Sequence, residues 1–201
     1  PILTGALSRL ILGIWTDQYG GRNVMALTML LSAIATYLLS SVKTYEMFLV
    51  AALGVGLAGG CFAVGIAYVS TWYEKEKQGT ALGIFGVGNV GAAITNFIAP
   101  FIMLALGWDG LAKTYAIIMF VTAILFYLFA KDDPNLVARK KKKEKPRSIL
   151  QQMEPLKKLQ VWRFSLYYFF VFGGYVALAL WLPHFYVGVY GLDIKIAGML
   201  A

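Results

Sequence analysis

Residues 48–72 carry no charged side chain, and neither do residues 80–107. An α-helix needs about 20 consecutive apolar residues to cross the ~30 Å hydrocarbon core of a bilayer. These two runs therefore confine the chain to membrane-spanning folds. Further apolar runs cover 23–41, 114–130 and 164–189. Another covers 1–15, and a last one begins near residue 194. Composition agrees, with 59% hydrophobic residues, 14% charged residues and a mean hydropathy of +0.68. Soluble domains are less apolar and carry about 25% charged residues. The expectation is an all-α, polytopic membrane protein. The single cysteine, Cys61, lies inside an apolar run, so there is no disulfide framework. The first residue is proline and the last run stops at Ala201. The chain therefore reads as a fragment.

The net charge of +8 would suggest nucleic acid in a soluble protein, but the basic residues are not spread along this chain. Ten of the 18 lie between residues 131 and 158. The connections 16–22, 74–78 and 131–160 hold 13 Lys and Arg, whereas 42–47, 108–113 and 190–195 hold three. Cytoplasmic loops concentrate Lys and Arg, so the first set is assigned to the cytoplasm and no nucleic-acid partner is expected. Three parts follow: a helix bundle over 1–130, a basic cytoplasmic linker over 131–160 with a surface helix near 148–159, and the start of a second bundle over 161–201. The positive run within 139–147 suits anionic lipid headgroups.

Arg9 stands out within the apolar run 1–15. It lies eight residues before Asp17, about 12 Å along a helix, and half the hydrocarbon thickness is about 15 Å. A charge so near the midplane is costly and by default marks a substrate or ion path. No apolar run offers it a carboxylate. The ten acidic residues, at 17, 46, 74, 76, 109, 132, 133, 144, 154 and 193, all fall in connections or at run ends. Gly5 and Gly13 lie four residues to either side of Arg9, on its helical face. They open space around the guanidinium or let another helix approach closely. A fixed positive charge so placed asks for an anion.

Two motifs carry a resemblance. The stretch Gly13-Ile-Trp-Thr-Asp17-Gln-Tyr-Gly20-Gly21-Arg22 resembles the signature loop between the second and third helices of the major facilitator superfamily. Gln18 stands where that family commonly has arginine. The stretch from Gly79 through Gly86, Gly88, Asn89 and Gly91 to Pro100 resembles the nitrate signature of the nitrate/nitrite porter family within that superfamily. So do Gly59-Gly-Cys-Phe62, Trp72 through Gln78, and Trp162 through Tyr168 to Phe172. The resemblance covers the chain from the second helix to the start of the eighth, about six transmembrane helices of an expected twelve.

The resemblance implies a fold, a cargo and a set of residues. Arg9 matches the second-helix arginine that grips the anion, and its eighth-helix partner would lie beyond Ala201. Phe62 and Phe172 match the aromatic walls, and Tyr168 and Asn89 match polar lining residues. Asp17 and Arg22 would make charge contacts that stabilise one state of the carrier. Gly86, Gly88 and Gly91 would serve packing and bending. The chemistry is consistent on its own terms. A planar guanidinium offers two parallel hydrogen bonds to a flat anion, whereas lysine is a point charge. Aromatic faces suit a weakly hydrated planar ion.

The implied protein is a monomeric, multi-pass carrier of nitrate and nitrite in the bacterial inner membrane, working by alternating access. It needs no cofactor and no metal. Proton-driven carriers often use an intramembrane carboxylate or histidine. No apolar run holds a carboxylate, and the single histidine, His184, lies near the outer end of its run, which favours nitrate/nitrite exchange over nitrate/proton symport. A carrier of an organic phosphate or carboxylate is the alternative, although such cargo would call for more deep basic residues. A non-transporting receptor or scaffold would leave Arg9 unexplained. An enzyme is not expected, because no metal spacing, Ser-His pair or phosphate-binding glycine loop occurs in a wet location. His184, Arg163 and the Tyr168–Phe172–Tyr175 stripe have ordinary structural explanations as well. Of that stripe, only Tyr168 and Phe172 gain a role from the resemblance.

Overall fold

A computed structural model describes residues 1–142 and 148–200. Among these residues all regular structure is helical: α1 (Ile2–Tyr19), α2 (Gly21–Leu39), α3 (Tyr45–Val55), α4 (Cys61–Ser70), α5 (Lys75–Gly86), α6 (Val90–Phe129), α7 (Pro134–Lys142), α8 (Ile149–Gln152), α9 (Leu159–Tyr190) and α10 (Ile194–Leu200). Short 3-10 turns lie at Gly56–Gly60, Val87–Asn89 and Glu154–Lys157. By length and hydropathy, four stretches among the described residues qualify as membrane spans: Gly21–Leu39, Tyr45–Ser70, Lys75–Phe129 and Leu159–Tyr190.

The turns between helices are tighter than polarity suggests. Residues 16–22 read as a loop, yet α1 continues through Thr16 and Asp17 to Tyr19. The Thr16 hydroxyl donates to the Leu12 carbonyl at 2.7 Å, which lets a polar residue remain helical in an apolar setting. Gly20 alone then reverses the chain, with φ +87°, and α2 starts at the next residue. Likewise, the expected connection 108–113 is helical. The break falls on Gly107, whose φ of 69° and ψ of −178° belong to a region essentially open only to glycine. The run 48–72 is one span, but a 3-10 turn at Gly56–Gly60 divides it into α3 and α4. Within 131–160, α7 occupies the early part. The surface helix expected near 148–159 is reduced to the single turn α8 and the 3-10 turn Glu154–Lys157. Residues 143–147, which hold much of the basic run, fall outside the described residues.

The described residues form two units. One lies within Pro1–Val87 and Trp108–Arg147, the other within Gly88–Gly107 and Ser148–Ala201. In the first, α1 packs on the Gly56–Gly60 turn and on α4, and α2 packs on α3 and α4. Its interior is made of small residues: Gly5, Ser8, Thr28, Ser32, Ala33, Ala51, Ala52, Ala112, Ala116 and Ala123 are buried, around a cluster of Leu12, Val24 and Val64. Lipid tails are as apolar as leucine, so helices in a bilayer associate by close approach through small side chains. Large apolar residues point outward instead, with Leu3 and Phe169 68% exposed and Val171 76%. Soluble monomers do not carry apolar surface on this scale. In the second unit, Gly198 of α10 sits so near the Asn96 carbonyl and Pro100 of α6 that a side chain there would collide. Lys195 lies over the Phe101 ring, 5.4 Å from its centroid.

Candidate anion site

α1 places Arg9 ten residues from its end at Tyr19, about 15 Å along the axis. That is deeper than Asp17 as a boundary suggested. Its Nε donates to the Gly59 carbonyl at 3.2 Å. That carbonyl lies in the 3-10 turn Gly56–Gly60. Gly5 allows the approach: a methyl built on it would stand 3.0 Å from the Gly56 carbonyl oxygen and 3.4 Å from the Gly59 Cα. Gly13 differs, with nothing within 4 Å of such a methyl. Of the two glycines flanking Arg9, one closes a helix contact and the other borders open space.

Phe62 follows Gly59 by three residues and is half-buried. Its ring lies 5.3 Å from that of Phe85, at an interplanar angle of 36°. Phe85 itself lies directly over Gly65, where any side chain would displace it. Phe85 was not among the expected site residues. The available signal was an aromatic one position before Gly86, inside the glycine-rich motif.

The second unit holds the remaining residues. Tyr168 and Phe172 are one helical turn apart on α9, and their rings stack at 5.0 Å and 9°. Phe172 continues to Tyr175, with centroids 6.1 Å apart. The Tyr175 hydroxyl donates to the backbone carbonyl of Asn89 at 3.0 Å. Asn89 closes the 3-10 turn Val87–Asn89, between α5 and α6, and its side chain is exposed. A methyl on Gly86, Gly88 or Gly91 would meet nothing within 4 Å. Their setting is the broken helix rather than a tight contact. The structure thus joins Arg9 to Gly59, three residues before Phe62, and links Asn89 to Phe172 and Tyr168 through Tyr175.

The first unit also gathers the helix ends that the charge pattern puts on one side. Arg22 bonds the Tyr127 carbonyl through Nε at 3.1 Å and Nη2 at 2.8 Å, and pairs with Asp132 through Nη1 at 3.1 Å. Its guanidinium also covers the Tyr127 ring at 4.6 Å. Tyr127 is in the last turn of α6, where carbonyls lack helical partners and a cation is favoured. The Tyr68 hydroxyl donates to the Lys131 carbonyl, and Arg139 of α7 donates to the Asp17 carbonyl. Leu136 packs onto Gly20. The contact partner of Arg22 is therefore Asp132, while Asp17 takes part through its backbone.

These contacts make a prediction. Asp132 is 49% exposed, so Asp132→Asn should cost under about 1 kcal/mol. Arg22→Ala also strips the end of α6 of its donors and should cost roughly 1–3 kcal/mol. Thermal unfolding in detergent checks the ranking, and equal losses would contradict it.

The Major Facilitator Superfamily model matches residues 1–201, the full span. The chain belongs to the Major Facilitator Superfamily. Within the superfamily it is 41% identical, over 99% of its length and 46% of the relative's, to a probable nitrate/nitrite antiporter of Thermus thermophilus. It is 33% identical to a nitrite extrusion protein of Bacillus subtilis, over 99% of the chain and 49% of that protein. It is 32% identical to a probable nitrate transporter of Staphylococcus epidermidis, over 99% and 50%. The chain spans about half the length of these curated relatives. No solved structure matches it significantly. The resemblance carried by the motifs is thus the one its relatives bear.

Proposed function

We propose that the protein carries nitrate and nitrite across the bacterial plasma membrane by alternating access, as an exchanger. The observation that carries this reading is Arg9: a guanidinium about 15 Å from the end of α1, held through one edge by the Gly59 carbonyl. Similarity to proteins named for nitrate and nitrite supports the choice of anion. Held at Nε, the guanidinium has a fixed plane, and fixed planar donors favour a trigonal anion over a tetrahedral one.

Phe62 is assigned to a wall for the flat anion, backed by Phe85. Tyr168 and Phe172 are assigned to a second aromatic surface, and Asn89 supplies a neutral donor. Asp17, Arg22, Gly5, Gly13, Gly86, Gly88 and Gly91 act on conformation and packing rather than on the anion. The protein works as a monomer, with basic residues near 139–147 against anionic lipid. Exchange is preferred because no acidic residue lies in the interior of the apolar runs.

Proteoliposomes holding the intact protein test the reading. Labelled nitrate should enter against internal nitrite without a pH gradient. Uptake that needs a pH gradient and ignores internal nitrite would replace exchange with symport. No uptake in either case would sink nitrate as the cargo.

A further inference from the structure

We infer that Tyr175 is a positioning residue for the anion site, tying α9 to the broken helix that presents Asn89. The inference rests on the nitrate reading for its kinetic consequence and on geometry for the tie itself. A tyrosine hydroxyl has one proton to give. Here that proton is directed at the Asn89 carbonyl at 3.0 Å. While the bond stands, Tyr175 has no proton left to offer an anion, so its part differs from that of a lining residue.

The acceptor lies at a break between α5 and α6. Val87–Asn89 is 3-10, a form with poorer hydrogen-bond geometry than the α-helix. Gly86, Gly88 and Gly91 surround it and have no neighbour that a methyl would touch. Glycine there leaves the backbone without the steric restraint of a side chain. A hydrogen bond from another helix is a means of holding such a segment in place.

The tyrosine ring connects the same point to the aromatic pair. Tyr175 contacts Phe172 at 6.1 Å, and Phe172 stacks on Tyr168 at 5.0 Å. One side chain thus sets the distance between the Asn89 backbone and the aromatic stripe. Moving α9 along or about its axis would move both together. Tyr175→Phe removes the hydroxyl and keeps the ring, which separates the tether from the stack.

The test uses the intact protein, wild type and Tyr175→Phe. Hydrogen–deuterium exchange is followed across residues 86–92, and nitrate/nitrite counterflow is measured in proteoliposomes. The tether predicts faster exchange confined to 86–92 in Tyr175→Phe. It also predicts a nitrate KM raised about two- to tenfold, with maximal flux held within roughly twofold. A raised KM with unchanged protection at 86–92 would make Tyr175 a direct ligand and overturn the inference. Lower thermal stability with unchanged KM and protection would mark a merely structural tyrosine and overturn it too. Should the wild type fail to carry nitrate, the cargo reading fails by itself. The protection result still decides the tether: lost protection supports it, and unchanged protection ends it.

Discussion

Arg9→Lys should lower nitrate flux roughly 10- to 100-fold while leaving the protein folded and inserted. The estimate follows from what lysine can and cannot replace. It keeps the positive charge, so long-range attraction for an anion survives. It loses the Nε donor that meets Gly59 at 3.2 Å, and with it the rigid fork. A single ammonium would have to choose between the Gly59 carbonyl and the anion. A hydrogen bond to a charged group is worth about 1.5–3 kcal/mol, and each 1.4 kcal/mol is about tenfold. The KM for nitrate should carry most of the loss, since the bond is made to the bound ion. Flux and KM in proteoliposomes, alongside thermal stability of the purified variant, check it. A KM within about threefold of wild type would show that charge alone suffices, and the fork argument would fail.

The spans were legible because lipid imposes a length and a composition that few other settings tolerate. Arg9 was legible for the same reason, as a residue that hydrocarbon should reject. Turn positions were less so. The sequence suggested polar connections at 16–22 and 108–113, but polarity does not decide where a chain turns. Backbone freedom does, and it resides in Gly20 and Gly107. Thr16 is polar yet helical because its hydroxyl returns to the Leu12 carbonyl. The 3-10 turns at Gly56–Gly60 and Val87–Asn89 lie inside apolar runs, where hydropathy has no contrast to reveal them.

Contacts between distant segments were the least legible part. Nothing in the sequence near Arg9 points to Gly59, fifty residues away, and nothing near Arg22 points to Tyr127 or Asp132. The aromatic stripe was visible as a period of three to four residues along α9. Its spacing could not say that Tyr175 reaches a backbone carbonyl on another helix. The resemblance named residue types that line a site in related carriers. The support behind them, Phe85 against Phe62, arises between helices and has no periodicity to announce it.

Gly5→Val should cost both stability and transport, whereas Gly13→Ala should cost little of either. The two glycines are equally spaced from Arg9, so sequence alone treats them alike. At Gly5 the first added carbon already stands 3.0 Å from a backbone oxygen and 3.4 Å from a backbone Cα. Backbone cannot swing aside as a side-chain tip does. The further methyl groups of valine therefore have to push α1 away from the Gly56–Gly60 turn. Overpacking of this kind costs typically about 1–3 kcal/mol. The same displacement lengthens the bond from Arg9 to Gly59, because both contacts cross one seam. Transport should then fall in step with stability, by roughly tenfold or more if the guanidinium loses that bond. At Gly13 a methyl enters open space, and alanine also favours the helix by about 1 kcal/mol. Thermal unfolding and nitrate KM, measured on both variants, decide between these accounts. If Gly13→Ala were the damaging one, open space beside Arg9 would matter to the anion more than the seam does, and the guanidinium would be set by the room around it rather than by Gly59.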